Sequence, residues 1–219
     1  MEVADLTLDE LRLVLAPAIA DAAIFDGWSD AALEAAANQV GADHDVARLA
    51  FKDDGALGMI TAWIDTIDLA MEVELPATRL AQMKIRERIR NLVQFRLDAV
   101  AGREEALRRA LAIMAMPQNA AKSLKTGWNS ADIMWRLAGD TATDYNHYTK
   151  RAILASIYGA TLAVFVDDES EDKAETRAFL DRRIEGVMKF EKVKAKWLNP
   201  EREHFSMSRF LGRLRYPAR

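Results

Sequence analysis

The sequence predicts an all-α fold, and two features of its 219 residues support that prediction. Apolar residues recur at three- and four-residue spacings along nearly the whole chain, and strong helix formers fill the stretches between scattered glycines and prolines. No segment has the alternating pattern of a half-buried strand. Half of the residues are apolar and 29% are charged, which is the composition of a globular protein.

Three helices are predicted in residues 1–54, and capping residues and glycines mark their ends. Ser29 or Asp30 can cap the second helix, Gly41 breaks it, and Asp43 can cap the third. The expected ranges are Leu8–Asp26, Asp30–Val40 and Asp43–Phe51.

Six longer helices are predicted in the following residues, with a last short helix at the C-terminus. Pro76, Gly102, Pro117 and Gly139 separate the first five of them. The expected ranges are 56–74, 77–101, 103–116, 120–137, 144–166, 170–198 and 204–215.

Motifs that would indicate catalysis are missing from the chain. It has no cysteine, so thiol catalysis and Cys-ligated metals are excluded. Its three histidines fall in three different predicted helices, without the Glu-x-x-His spacing of di-iron sites. There is no phosphate-binding glycine loop, nucleophile elbow or dinucleotide fingerprint. We therefore expect no catalytic residues, no metal, no cofactor and no enzymatic activity.

The N-terminus lacks the features of a targeting segment, because its first residues are acidic rather than basic. The longest apolar run, Ala152–Val166, has 15 residues, whereas about 20 are needed to span a bilayer. We therefore expect a chain that is intracellular or already processed, and of these we favour a cytoplasmic protein.

The first 54 residues have the layout of a helix-turn-helix, with one long helix and two short helices joined at Gly41. The runs Asp26-Gly27-Trp28 and Val40-Gly41-Ala42-Asp43 resemble the DNA-binding unit of TetR-type regulators. That resemblance implies an all-helical protein whose larger C-terminal body binds a ligand and dimerises.

DNA binding itself is disfavoured by the charge of this segment. It carries twelve acidic and three basic residues, a net charge of −9, and the third helix offers only Arg48 and Lys52 as cations. A recognition helix needs cations to approach phosphates and to read base edges. We therefore expect the segment to keep the fold without binding nucleic acid.

The most specific pattern of the chain is Ala138-Gly139-Asp140 followed by Thr143-Asp144-Tyr145-Asn146-His147-Tyr148-Thr149-Lys150-Arg151. With its flanks, from about Lys84 to Phe190, it resembles the accessory lipid-binding protein family of ubiquinone (coenzyme Q) biosynthesis, in the bacterial form. His147 and Tyr145 depart from the family pattern, where Trp and Phe are expected. The resemblance implies a TetR-like homodimer that is not catalytic, a hydrophobic pocket for an isoprenoid quinone or another lipid, and a partner enzyme, the di-iron demethoxyubiquinone hydroxylase.

Large apolar side chains of the predicted body are candidates for lining such a pocket. Met and Phe suit this role because they adapt to a flexible tail, although each residue is also compatible with an ordinary core position. The candidates are Trp63, Phe95, Met114, Met116, Ile153, Ile157, Leu162 and Phe165.

A second set of residues is a candidate docking surface for the partner enzyme. Trp128 and Trp135 are seven residues apart, so they share one helix face with Asp132, and Arg136 is adjacent. Exposed Trp and Arg residues are typical of binding hot spots. The alternative is a buried Trp whose ring N–H is paired.

The C-terminal residues are candidates for contact with a membrane. Residues 182–219 contain eleven basic and four acidic residues, a net charge of +7. A basic amphipathic helix of this kind can lie at an anionic membrane surface, or it can pack on the body or on a dimer mate. The stripe and its cations are Met207, Arg209, Phe210, Leu211, Arg213 and Leu214.

The sequence therefore predicts three parts: a helix-turn-helix-like unit (1–54), a lipid-binding and dimerisation body (55–198) and an amphipathic basic helix (199–219). The leading hypothesis is a non-catalytic, peripherally membrane-associated protein that binds isoprenoid quinone intermediates and presents them to the hydroxylase. The alternative is a TetR-type transcription regulator with a lipid or acyl effector.

Overall fold

The computed structural model describes residues 3–141 and 145–198, which form ten α-helices and no strand. The predicted all-α class is confirmed. The helices are α1 (Leu8–Asp26), α2 (Asp30–Val40), α3 (His44–Phe51), α4 (Gly55–Glu74), α5 (Ala77–Leu80), α6 (Ile85–Val100), α7 (Glu104–Met114), α8 (Ala120–Leu137), α9 (Tyr145–Phe165) and α10 (Ala174–Leu198).

Polar side chains define the first three helix starts. Thr7 and Glu10 form a reciprocal capping box at α1, in which the Thr7 backbone N–H donates to Glu10 at 2.9 Å. Ser29 accepts from the backbone at the start of α2, and Asp43 accepts two backbone N–H groups at the start of α3. Gly41 ends α2 with a φ of +76°, which a residue with a side chain adopts less readily. The helix signals predicted at Ser29, Gly41 and Asp43 are confirmed, and Thr7 is a further cap that was not predicted from the sequence.

Residues 1–181 form one compact unit, and its N-terminal helices pack directly on the later ones. The Trp28 indole N–H donates to the Ala106 carbonyl on α7 at 2.9 Å, and the Arg103 guanidinium pairs with Asp21 of α1 at 2.5 Å. Buried leucine, isoleucine and alanine side chains of α1 face α2, α3 and α4. The second unit, residues 182–219, is described as far as Leu198 and consists there of the C-terminal part of α10.

The predicted continuous helix over residues 77–101 is wrong, because the chain breaks between α5 and α6. Lys84 is extended, and the Glu87 carboxylate accepts its backbone N–H at 3.2 Å. The Arg88 guanidinium donates hydrogen bonds to the carbonyl oxygens of Met83 and Ala81, at 2.9 and 3.0 Å. Side chains thus satisfy backbone groups at this break, where helix hydrogen bonds would otherwise be needed.

The helix that precedes Pro117 is also shorter than predicted. It ends at Met114 rather than Met116, and Pro117–Asn119 forms a turn of 3-10 helix that leads into α8. Proline has no backbone N–H and disfavours helical geometry at the residue before it, so the helix ends before it reaches Pro117.

Candidate functional site

Five helices of the first unit, α4, α6, α7, α8 and α9, enclose an apolar cavity of about 710 Å³. This volume lies within the range of about 300 to 1,000 Å³ found for small-molecule sites. Its apolar lining residues include Ile60, Trp63, Ile64, Ile67, Val100, Leu107, Leu111, Met114, Trp128 and Leu162.

Small residues of α8 and α9 leave this space unfilled. Gly127 and Gly159 both line the cavity, and a Cβ atom placed on either would meet no atom within 4 Å. Ala120, Ala152 and Ala155 line the same side. Ala152 and Gly159 are exposed and the other three residues are half-buried, so these small side chains leave room at the outer part of the cavity.

The cavity also reaches the protein surface. Leu124 belongs to its wall yet is 75% exposed, and Ala152 and Ser156 of the lining are exposed as well. These residues lie on α8 and α9, and Ala115, which follows α7, also lines the cavity and is exposed, so the opening is bordered by α8, α9 and the end of α7. A ligand therefore has a route into the cavity.

One end of the cavity is polar: Arg96, Ser130 and Tyr158 line it, and Asp68, which is not part of the lining, pairs with two of them. Arg96, which is 1% exposed, donates from Nη1 to the Asp68 carboxylate. The Ser130 hydroxyl donates to the other oxygen of Asp68 at 2.8 Å. The Tyr158 ring lies against the guanidinium, with 4.8 Å between its centroid and Arg96 Cζ.

The structure places only some of the predicted lipid-contact residues at this cavity. Trp63, Met114 and Leu162 line it. Phe95, Ile153 and Ile157 are half-buried outside the lining, Met116 is 42% exposed, and Phe165 is buried beneath the ammonium of Lys173. Periodicity indicates the buried face of a helix, but not which part of that face borders a void.

Sequence reasoning missed Arg96, although the sequence contains a signal for it. Arg96 falls in the apolar stripe of α6, with Leu92, Val93 and Val100. A lone charged residue on a buried stripe needs a buried partner, here Asp68. A charged residue at a buried position of α6 therefore indicates, from the sequence alone, where a buried polar group lies.

Trp128 belongs both to the cavity wall and to an aromatic cluster beside it. Its ring centroid lies 6.0 Å from that of Tyr148 and 6.5 Å from that of His147. Tyr148 is 61% exposed and Tyr145 is 78% exposed. We call Trp128, Tyr145, His147 and Tyr148 the aromatic face. It is a surface from which aromatic side chains project beside the cavity.

The other predicted docking residues hold α8 to α9. The Trp135 indole donates to the Lys150 carbonyl at 2.9 Å, and Asp132 accepts from the buried Arg151 at 2.5 Å. Arg136 is 61% exposed and lies 3.2 Å from Asp132. Trp135 and Asp132 therefore have structural contacts that their spacing did not reveal, and their role in docking stays a prediction.

The helix-turn-helix-like unit presents little free positive charge on its third helix. Arg48 of α3 is paired with Glu34 of α2 and lies 3.6 Å from Asp45. The predicted inability of this unit to bind nucleic acid is consistent with these pairs but is not tested by them.

The predicted membrane-contact residues cannot be located in the structure. Met207, Arg209, Phe210, Leu211, Arg213 and Leu214 lie beyond the residues that the structure describes. Within residues 3–141 and 145–198, no three His, Asp or Glu side chains come together as metal ligands would. No helix in the same part of the chain is long and apolar enough to cross a membrane.

The chain is similar to ubiquinone biosynthesis proteins. Residues 120–191 match the COQ9 family model. Proteins named ubiquinone biosynthesis protein COQ9, mitochondrial, from Rattus norvegicus and Homo sapiens are 35% and 33% identical to it over 168 and 167 residues. Each alignment covers 74% of this chain, and 54% and 52% of the two relatives. The chain thus spans about half the length of the curated relatives it matches.

The fold is similar to that of a solved TetR transcriptional regulator from Nitrosomonas europaea. The TM-score is 0.65, and the match covers 81% of this chain and 98% of that chain. Sequence identity is 22%, so this likeness concerns the fold alone. The predicted TetR-like architecture is confirmed.

Proposed function

Because the chain belongs to the COQ9 family of ubiquinone biosynthesis, we propose that it binds an isoprenoid quinone intermediate in its cavity and presents it to demethoxyubiquinone hydroxylase. In this proposal the protein is a lipid-binding accessory factor that makes and breaks no bond. The observation that carries the proposal is the apolar cavity of about 710 Å³, which reaches the surface at exposed residues of α8 and α9 and at Ala115.

The lining of the cavity suits a flexible hydrocarbon tail. Isoleucine, leucine and methionine side chains together with Trp63 form most of the wall, and burying hydrocarbon against them releases about 0.8 kcal/mol for each methylene group. A polar metabolite would lose its hydration without gaining comparable hydrogen bonds. The ligand class that fits best is therefore a lipid.

The aromatic face supports docking of a partner protein beside the cavity. Tyr and Trp are enriched in binding hot spots; Tyr148 is exposed next to Trp128, and Tyr145, three residues earlier on α9, is exposed as well. Because Trp128 also lines the cavity, a partner bound here would contact a residue of the lipid site itself. Docking at this position would bring the enzyme next to the stored substrate.

Membrane association and dimerisation complete the proposal. The protein would take its lipid from a membrane surface through the basic C-terminal residues, and it would act as a homodimer, as the family resemblance implies. Transcription regulation is the weaker hypothesis, because the fold likeness does not extend to a cationic recognition helix: Arg48 is paired with acidic residues.

The proposal is tested by placing a large side chain at an exposed glycine of the cavity lining. Gly159→Leu adds a side chain where no atom lies within 4 Å of the Cβ position, and it replaces a glycine inside a helix. We expect the variant to fold with equal or higher melting temperature, since a helical glycine costs about 0.5–1 kcal/mol relative to alanine. We expect native mass spectrometry to show isoprenoid lipid bound to the purified wild type and at least tenfold lower occupancy in the variant.

Gly186→Leu is the matched control, because Gly186 is also a helical glycine with open space around it but lies in α10, outside the cavity lining. It should leave lipid occupancy unchanged. Equal lipid occupancy in Gly159→Leu and in the wild type would show that the lipid binds elsewhere on the protein. A wild type that carries no lipid and takes up no quinone analogue would overturn the proposal.

A further inference from the structure

Arg96 is a full positive charge within the wall of an otherwise apolar cavity. It sits on the buried stripe of α6 and is 1% exposed. A buried guanidinium does not improve the binding of a hydrocarbon, and its transfer from water into the protein costs free energy. The position of Arg96 therefore calls for an explanation beyond packing.

The charge of Arg96 is already neutralised by the protein. Asp68, 5% exposed, accepts from Arg96 Nη1 and from the Ser130 hydroxyl. The polar end of the cavity consequently has no net charge. An added carboxylate or phosphate would place two anions on one cation in a medium of low dielectric constant, which is unfavourable.

One donor of this polar end lacks an acceptor. The Nε–H of Arg96 is buried and has no hydrogen-bond partner among the described residues. The hydroxyls of Ser123, Thr126 and Ser156, which also line the cavity, do have acceptors: they donate to main-chain carbonyls at 2.9, 3.1 and 2.7 Å. A buried donor without an acceptor is rare in proteins and often marks a functional position.

We infer that the Arg96 guanidinium binds the polar end of the lipid and selects for a neutral oxygen acceptor, such as a quinone carbonyl or a methoxy group. Tyr158, stacked 4.8 Å from Arg96 Cζ, holds the guanidinium in place. Free fatty acids and phospholipids are disfavoured because they carry a negative charge. Asp68 already neutralises the Arg96 cation, so a second anion would not be balanced. This inference rests on the proposed function, since it identifies the head-group chemistry of the same lipid site.

A head group bound at Arg96 is withheld from solvent. Because Arg96 is 1% exposed and the opening lies at the exposed residues of α8 and α9, the bound lipid enters with its head first. The head becomes available to another protein only when the lipid leaves Arg96. The polar end thus acts as a holding site.

The test compares three ligands that share a decyl tail: a ubiquinone analogue, decylbenzene without oxygen, and decylbenzoate with a negative charge. Affinities are measured by equilibrium dialysis on the full chain. We expect the wild type to bind the ubiquinone analogue about tenfold more tightly than either of the others, as one hydrogen bond from a charged donor allows. Arg96→Lys keeps the charge but removes Nε–H and should lose this preference while still binding decylbenzene.

Two further variants separate recognition from folding. The double variant Asp68→Asn with Arg96→Gln removes both buried charges together, so neither is left unpaired, and it should also lose the preference for the quinone. Arg90→Lys is the matched control: Arg90 also lies on α6, but it is outside the cavity lining, and its Nε lies 2.6 Å from the Asp181 carboxylate. It should behave as the wild type.

The outcomes distinguish this inference from the proposed function. If the wild type binds all three ligands equally, or prefers decylbenzoate, neutral head-group selection is wrong although lipid binding stands. If the two Arg96 variants keep the full preference for the quinone, Arg96 is not the contact. If the wild type binds none of the three ligands, the proposed function fails and this inference fails with it.

Discussion

At the residue scale, the Asp168 carboxylate organises the turn between α9 and α10. It is 4% exposed and accepts the backbone N–H groups of Ser170 and Thr176 at 2.9 and 2.8 Å, together with both of their hydroxyls. Burial raises the pKa of Asp168, but these hydrogen bonds lower it by more, so the pKa lies well below its ordinary value. The folded state is therefore stabilised by the ionised form of the Asp168 carboxyl group.

The variant Asp168→Asn tests this role through its pH dependence. We expect it to lower the free energy of unfolding by about 1–3 kcal/mol at pH 7, because an amide replaces an acceptor of four hydrogen bonds. A folded pKa below the unfolded value of about 3.9 stabilises the protein above that pH, and this stabilisation is lost as the pH falls towards the folded pKa. The difference in melting temperature between wild type and variant should therefore shrink below about pH 4.

The control for this experiment is Asp167→Asn. Asp167 is the neighbouring residue, and its side chain is 75% exposed and pairs with Arg108 at the surface. Its replacement should change stability by less than about 1 kcal/mol. A deficit of Asp168→Asn that is as large at pH 3 as at pH 7 would show that the ionised carboxylate is not the stabilising form.

At the element scale, the buried Arg151 fixes α9 against α8 and the turn that follows it. Its guanidinium donates to Asp132 of α8 at 2.5 Å and to Asp140 at 3.0 Å. Lys150 also reaches Asp140, at 2.6 Å, and Trp135 of α8 donates to the Lys150 carbonyl. Since α8 and α9 flank the opening of the cavity, these contacts determine the shape of the entrance.

We predict that Arg151→Met strongly destabilises the protein. It leaves the Asp140 carboxylate, whose side chain is 4% exposed, without its main buried cation, and breaking a buried pair in this way costs about 3–5 kcal/mol. The control Arg136→Met removes a cation that is 61% exposed and pairs with the same Asp132, which should cost about 0–1 kcal/mol. Urea denaturation of both variants measures the difference. Equal losses of the free energy of unfolding in the two variants would mean that the burial of Arg151 does not make its ion pairs more stabilising than that of Arg136.

At the scale of the whole molecule, charge is distributed unevenly along the chain. Residues 1–54 have a net charge of −9, from twelve acidic and three basic residues, and residues 182–219 have +7, from eleven basic and four acidic residues. Such asymmetry acts on partners and surfaces rather than on the fold. It favours contact with anionic lipid through the C-terminal end and repulsion of nucleic acid by the N-terminal end.

We predict that deletion of residues 204–219 abolishes flotation with anionic vesicles. Each arginine near an anionic surface contributes about 1 kcal/mol, so binding should weaken steeply as salt is added. Replacing Phe210 and Leu211 by Ser should weaken binding at high salt more than the control Arg209→Gln, because the apolar contact is not screened. The deletion variant should keep the melting temperature and lipid uptake of the full chain. Unchanged flotation, or an unfolded deletion variant, would assign this segment a structural role instead.

Local sequence signals predicted most of the helices, but they missed the break that divides residues 77–101 into α5 and α6. Caps at Thr7, Ser29 and Asp43 depend on neighbouring residues, so the helix starts near them follow from the sequence. The break before Ile85 does not, because one of its supports is the Arg88 guanidinium, which also donates to the Ala138 carbonyl at 2.7 Å. That contact joins residues fifty positions apart, so no local pattern predicts it.

The sequence by itself determined the all-α class, the TetR-like layout and the family, since these depend on periodicity, on breakers and on a specific run of residues around Ala138-Gly139-Asp140. Only the tertiary structure decided which side chains border the cavity, that Trp128 belongs to its wall, and that Arg96 and Asp68 form its polar end. Periodicity shows which face of a helix is buried. A cavity forms where several such faces meet imperfectly, and that depends on how distant helices pack.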